Sequence, residues 1–513
     1  MKRCGFIFVA LACMALNGCA HWGSAEANSP GTVTCLMESM PINLDPRVGT
    51  DASSAYLDEL MFDSLVSYDA HMNIVPDLAE RWETPDPVTY IFHLRSGVRF
   101  HDGRPLTAAD VKFTFDSILS GAVQTAKRGS YRMVTSIDTP DEHTVIFHLS
   151  GPYASFLWNL TRAGIGIVPR GSGDEISRHP IGTGPFQFVR MSADDEVILA
   201  RYPGYFAGAA KIERLRFRIV PDAIVRALEL RKGTADLADP NSLTPDMVAA
   251  LAKEPGLAVE DEAGTELQYV AFNLDDPMLA HRKVRQALAY ATDRGSMIRY
   301  LLHGRARPAA SLLPPAHWAY DPQLPQYDYD PARAEKLLDA AGFPRGPDGV
   351  RFHLELKTST EESARILSEV IAAQWRRVGV DLQPRPLETG TFYSDITRGS
   401  FQLYTFRWVG GNNDPDIFQY VFSSKRFPPN GANRGHYKNS QMDALLEEQA
   451  RETDLTKRKA LLWKIQSLAA EDEPYINLWY SNSVCVHRDR LAGVSVDTAG
   501  DLDFLAQAWI EPN

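Results

Sequence analysis

A chain of 513 residues, 44% hydrophobic and 23% charged, holds enough apolar material for about two to four domains with ordinary cores. Neither disorder nor a disulfide scaffold is needed to explain it. The formal net charge of −12 argues against a nucleic-acid partner, because neutralising phosphates needs a dense Lys/Arg surface.

Residues 1–18 read as a secretory signal. Lys2 and Arg3 form a positive start, and Gly5 to Leu16 is an apolar run well short of the roughly 20 residues that span a bilayer. Losing those two cations takes the net charge from −12 to −14. The signal ends in Leu16-Asn17-Gly18-Cys19, which resembles the lipobox of bacterial lipoproteins. That resemblance implies cleavage before Cys19 and a lipid anchor on its thiol; an ordinary signal cut is the alternative. Several acyl chains would hold the protein to a membrane, where one binds only marginally. Residues 19–29 then serve as lipidated Cys and tether. No later apolar run is long enough to span a bilayer, so the body is expected outside it. Once Cys4 and Cys13 leave with the signal, Cys35 and Cys485 remain beside Cys19. They are either bonded, as an oxidising compartment permits, or two buried thiols on strands.

The body mixes helices and strands. Thr107-Ala-Ala-Asp110 has the spacing of a capping box, and Val111, Phe115 and Ile118 make an apolar face behind it. Asp330-Pro331 starts another helix and Gly342 ends it. Ser359 with Glu362 is expected to cap a longer one, with Leu367, Ile371, Trp375 and Val378 as its stripe and Gly379 as its stop. Further helices are expected at 440–451 and 454–472. Thr89–Leu94 and Thr144–Leu149 alternate with period two and read as similarly buried strands of one sheet. His93 and His148 share their polar phase, which favours solvent-facing positions over a metal pair. Other strands are expected near 31–37, 215–220, 267–273, 352–357, 401–406 and 482–487. The mixture predicts an α/β or α+β chain with several lobes.

Residues 78–111 run Leu-Ala-Glu-Arg-Trp, then Tyr-Ile-Phe-His-Leu-Arg-Ser-Gly-Val-Arg-Phe-His-Asp-Gly-Arg-Pro-Leu-Thr-Ala-Ala-Asp-Val. This order resembles the signature of extracellular solute-binding protein family 5, the receptors of oligopeptide, dipeptide and nickel ABC importers. Asn43-Leu-Asp-Pro46, Pro180-Ile-Gly-Thr-Gly-Pro-Phe186, Val284 to Asp293, Tyr329 to Leu338 and Trp408 to Asp416 extend the likeness over nearly all of 30–513. It implies a periplasmic-binding-protein-like fold. The first lobe would be 30–62 with 180–272 and 483–513, the inserted lobe 63–179, and the third lobe 273–482. The chain would pass between the large lobes more than once and act as a hinge over a ligand cleft.

The resemblance also points to site residues. Trp408 would offer an apolar face on one wall, a core Trp being the competing reading. The backbone of Val409-Gly410-Gly411 would suit strand-like pairing with a peptide. Gly49-Thr50-Asp51 would form the opposite wall, with Tyr480 near the hinge. Many peptide receptors of the family carry an Asp three residues after the Trp, where it pairs with a free α-amino group; here the position is Gly411. Either Asp51 or Asp414 substitutes, or the ligand lacks that amine, since an unpaired buried ammonium is costly. Thr405 stands where some oligopeptide receptors have Arg. Nearby Arg407 is either a fork for a carboxylate or phosphate or an exposed strand-end Arg. Asn433, Arg434 and His436 lie in a turn-rich loop expected to be solvated, with the cleft mouth within reach. Asp414-Pro415-Asp416 lacks the ligand spacing of a calcium loop and reads as a turn.

The expected partners are therefore a peptide or small solute, an ABC permease and ATPase complex, and a membrane reached through Cys19. The protein is expected to be monomeric, without cofactor or metal. The competing readings are a secreted hydrolase, for which the sequence has no GxSxG elbow, HExxH or P-loop, and a receptor of the same fold for a non-peptide ligand (a chelated metal or sugar) or for sensing.

Overall fold

A computed structural model describes residues 31–161, 164–192, 195–410 and 413–512. The signal and Cys19 lie outside them. Three sheets, each with its own apolar core, account for most of the chain. The first has seven strands, in the order 257–262, 483–488, 237–238, 32–37, 214–219, 196–201, 186–192. Its central strand Thr32–Met37 runs parallel to both neighbours and is buried along its whole length. The sequence TVTCLM suits that position, because a strand covered on both faces reads as a nearly continuous apolar run.

The smallest of the three is antiparallel, its strands lying side by side in the order Ala79–Asp86, Thr89–Leu94, Thr144–Leu149, Val134–Asp141. Its two inner strands alternate in burial, as their period-two pattern predicts. The helix Ala108–Leu119 covers the buried face, and Thr107 and Asp110 form the expected capping box. His93 and His148 lie on the outer face, four pairs apart in register, and each meets its own carboxylate: Glu83 and Asp138, both at 3.0 Å. No cluster of metal-ligating side chains occurs among the described residues.

The third sheet has six strands, in the order 306–308, 475–481, 267–272, 403–408, 352–359, 380–387. The helix Glu362–Arg376 buries Trp375 against it, and the indole N–H donates to Thr292 Oγ1 at 3.0 Å. The cap expected at Ser359 is absent. Ser359 ends the preceding strand and Glu361 occupies the N-cap position, because pairing with Leu387 holds Ser359 extended. Leu267–Phe272 pairs with Leu403–Trp408 and Tyr475–Ser481. These six residues therefore belong with the third sheet, and not with the first lobe as expected.

Two neighbouring segments carry the chain between the first and third sheets, 263–266 and 481–482. They run side by side: Ser481 N donates to Glu266 O at 2.8 Å. Gly264 is required there, since a Cβ at that position would stand 2.2 Å from Ser481 O. Cys35 and Cys485 are free, buried thiols of the first sheet. The strand Leu237–Ala238 lies between theirs, and two sheet spacings of about 4.8 Å exceed the reach of a disulfide.

Candidate functional site

Trp408 ends its strand at the edge nearest the two crossings. Its directly opposite partner, Leu267, is the first strand residue after the 263–266 segment. The indole is half-buried and lies parallel to Tyr269, with ring centroids 6.1 Å apart and planes 13° apart. Tyr420 meets it edge-on at 6.3 Å. Trp408 thus covers the aromatic core beneath it with one part of its ring and leaves the rest accessible. Val409 is 66% exposed, and Gly410 turns the chain in the left-handed region at φ 67°. Gly411 lies outside the described residues.

Several nominated side chains are already engaged. Arg407 is 52% exposed and sits 3.6 Å from Glu266 Oε1, so it answers a carboxylate of the chain itself. Burial raises the Glu266 pKa, and the Arg407 charge counters that rise. Thr405 does not face a cleft: it is buried, donates to Tyr269 O at 3.1 Å and accepts from Gln268 Nε2 at 2.9 Å. Tyr480 is 2% exposed, and its hydroxyl lies 2.6 Å from both Ser311 O and Leu313 O. It braces the fold beside the crossing and offers no free hydroxyl. Asp51 caps the helix Ala52–Met61, accepting from Ser54 N at 3.0 Å and Ser54 Oγ at 2.6 Å. An Asp directly ahead of the stretch Ala52–Met61 is the sequence signal for that cap.

Gly49 and Thr50 line a cavity of about 340 Å³ between this helix and the inserted lobe. Asp58, Lys127, Trp158 and Asn159 complete its wall. Burial pushes the Asp58 carboxyl well above the usual carboxylate range against the pull of Lys127, whose ammonium donates to Pro46 O at 2.7 Å.

The inserted lobe also touches the third. Ser155 Oγ donates to Asp414 Oδ1 at 2.7 Å, Arg458 Nη2 donates to Ser155 Oγ at 3.1 Å, and Ala154 N donates to Ala450 O at 3.0 Å. Asp414 is therefore committed to an interlobe contact. Asp416 beside it is pushed up to about 6 by burial, with the Asp414 charge adding to the rise. Asp239, at the end of the short central strand, is also pushed up to about 6 by burial. It stands at the carboxyl ends of parallel strands, where ligands of open α/β sheets bind.

The loop 428–437 is not solvated as expected. Asn433 is buried, donating from Nδ2 to Ser423 O at 3.0 Å and Tyr437 O at 2.8 Å. His436 meets Asp275 Oδ2 at 2.5 Å, away from Trp408. Arg434 turns inward instead, its guanidinium carbon 5.7 Å from the Trp408 ring centroid and 5.6 Å from that of Tyr393. Nothing in the local pattern of turn residues marked it as the inward one.

The profile of the bacterial extracellular solute-binding proteins, family 5 Middle, matches residues 73–429. A dipeptide-binding protein of Escherichia coli is 28% identical, with 98% of each chain covered. Heme-binding protein A of Haemophilus influenzae is 29% identical over 89% of this chain and 88% of its own. Among solved structures, the ABC transporter substrate-binding protein CtaP of Listeria monocytogenes superposes with a TM-score of 0.85 at 25% identity, covering 94% of this chain and 99% of its own.

Proposed function

Because this chain belongs to the bacterial extracellular solute-binding proteins of family 5, we propose that it captures a peptide or peptide-like small solute between its first and third lobes and delivers it to an ABC permease. In this reading it binds its guest without changing it. It works outside the cytoplasm as a monomer, held to the membrane through a lipidated Cys19. The observation that carries the reading is the paired crossing at 263–266 and 481–482. Two adjacent segments, joined by the Ser481–Glu266 hydrogen bond, connect two large bodies along a single line. Such a line lets the bodies rotate while each core stays intact. In this reading Trp408 and Gly410 line the third-lobe side of the cleft and Gly49 and Thr50 the first-lobe side, so that closure would bring them to a common guest.

The relatives named for dipeptides and for heme support a cleft whose lining, more than its fold, selects the guest. The test is native mass spectrometry of protein purified from its own host, followed by release of the guest in denaturant. An intact small molecule at one per chain supports capture; cleavage products from a supplied peptide mixture would show a hydrolase instead. Intact-mass analysis of the same preparation reads the acyl chains on Cys19, and Cys19→Ala releases the protein from the membrane fraction.

A further inference from the structure

Five buried polar atoms without hydrogen-bond partners gather on one face of the six-stranded sheet: Arg434 Nη1, Trp408 Nε1 and the hydroxyls of Tyr269, Tyr404 and Tyr475. Strand register explains the grouping. Tyr269 lies opposite Phe406, while Ala271 faces both Tyr404 and Tyr475, so these side chains stand on a common face in successive rows. Arg434 enters from the loop above them and is 6% exposed. Gly435 lets that loop press onto the sheet, since a Cβ there would stand 2.2 Å from Phe272 O.

Arg434 differs from the other deeply buried arginines of the described residues. Arg47 forms a fork on Asp45. Arg226, Arg285 and Arg294 each donate to two or more backbone carbonyls, and Arg458 donates to Gln449 Oε1, Ala154 O and Ser155 Oγ. Arg434 has no carboxylate partner among the described residues, and rings provide its cover. Burial disfavours its charge, while the hydroxyls of Tyr404, Tyr269 and Tyr475 beside it push the other way; burial also holds Tyr269 and Tyr475 protonated, so these two supply dipoles and no negative charge. An unpaired buried cation is costly, and so are buried donors with nothing to accept from them. Guanidinium and indole N–H groups can only donate. What this cluster lacks is an acceptor with negative charge.

We propose that Arg434 is the specificity residue of the interlobe site and receives a carboxylate-class anionic group of the guest, with Trp408 and Tyr393 as its cover. This rests on the capture reading above. Tyr393 is 49% exposed and forms the outer layer over the guanidinium. Its ring swings aside to admit the anion, which then pairs with Nη1 and accepts from the indole N–H. The acids nominated for a guest ammonium point the same way: Asp51 caps a helix, Asp414 holds Ser155, and Gly411 has no carboxylate. The guest is gripped by its negative end.

Titration calorimetry of the wild-type protein against matched pairs tests this: Ala-Ala and its C-terminal amide, Ala-Glu and Ala-Gln, succinate and succinamide. At least one carboxylate member should bind about tenfold or more tighter than its neutral partner, the scale of a charge-assisted fork. In Arg434→Gln that preference should fall to within about threefold, while Arg434→Lys should retain part of it. Equal or tighter binding of the neutral members overturns the proposal, as does an undiminished preference in a folded Arg434→Gln. Should Arg434→Gln not fold, the wild-type pairs still decide. If no carboxylate probe binds while native mass spectrometry still finds a neutral or cationic guest, the anion assignment fails and capture stands. If no guest is found at all, capture itself fails.

Discussion

Ser155 Oγ donates to Asp414 Oδ1 at 2.7 Å and accepts from Arg458 Nη2 at 3.1 Å, which ties the inserted lobe to the loop that follows Trp408. All three groups are buried or nearly so, and Arg458 also lies 3.9 Å from Asp414. The contact joins bodies far apart in sequence and adjoins the segment proposed to line the cleft. It is placed to reward the arrangement in which the two approach.

Ser155→Ala leaves Asp414 and Arg458 without their bridge and should weaken the closed arrangement by about 1–2 kcal/mol. Guest affinity should then fall about five- to thirtyfold. Small-angle scattering of the unliganded protein should show a larger radius of gyration than wild type. An unchanged radius and affinity would mean the contact is incidental.

Trp408→Ala should remove the guest-dependent rise in melting temperature, because the wall and the cover of Arg434 go together. The half-buried ring also stacks on Tyr269, so the unliganded protein should lose about 1–2 kcal/mol, less than the 3–5 typical of a fully buried Trp. Urea unfolding with and without guest separates the two effects. A loss above about 4 kcal/mol without guest would mark Trp408 as core alone.

Gly264→Ala places a Cβ 2.2 Å from Ser481 O and 2.9 Å from Ser483 N, both backbone atoms that cannot swing away. The two crossings must part or bend. A stability loss of about 2 kcal/mol or more is expected by denaturant melting, with guest affinity lowered as well. An alanine variant as stable as wild type would show that the crossing has slack, contrary to the geometry.

Asp239 and Asp416 are each pushed up to about 6, chiefly by burial. An acid whose folded pKa is raised binds its proton better folded than unfolded. Its contribution is therefore complete below the unfolded value near 4 and is lost as pH rises to about 6. Wild-type stability should decline across that window from these two groups, by on the order of 3 kcal/mol each. Asp239→Asn and Asp416→Asn should each flatten the decline between about pH 4 and 6. A profile in either variant as steep as wild type would remove that residue as the cause.

Much of the fold was legible because its signals are local. The box at Thr107 and Asp110, the Asp330-Pro331 start and the alternation of Thr89–Leu94 each join residues within one turn or one strand. The Ser359 cap failed because its competitor was pairing with Leu387, a partner 28 positions away. The assignment of Leu267–Phe272 to the first lobe failed for a similar reason, since strand membership is decided by hydrogen bonds to residues far along the chain.

By itself the amino-acid order determined the mixed α/β architecture, most helix and strand positions, and the solute-binding family. These follow from periodicity, caps and an ordered run of residues, all written along the chain. Only the tertiary structure decided which polar side chains are still unsatisfied once the chain has folded. Arg407 finds Glu266, Asp51 finds its own helix, Tyr480 finds two carbonyls, and Arg434 is driven under Trp408 with no acid for it among the described residues. A side chain's charge is plain in sequence, whereas its partner is set by where distant strands and loops converge, and that convergence makes one arginine a candidate anchor and another a surface pair.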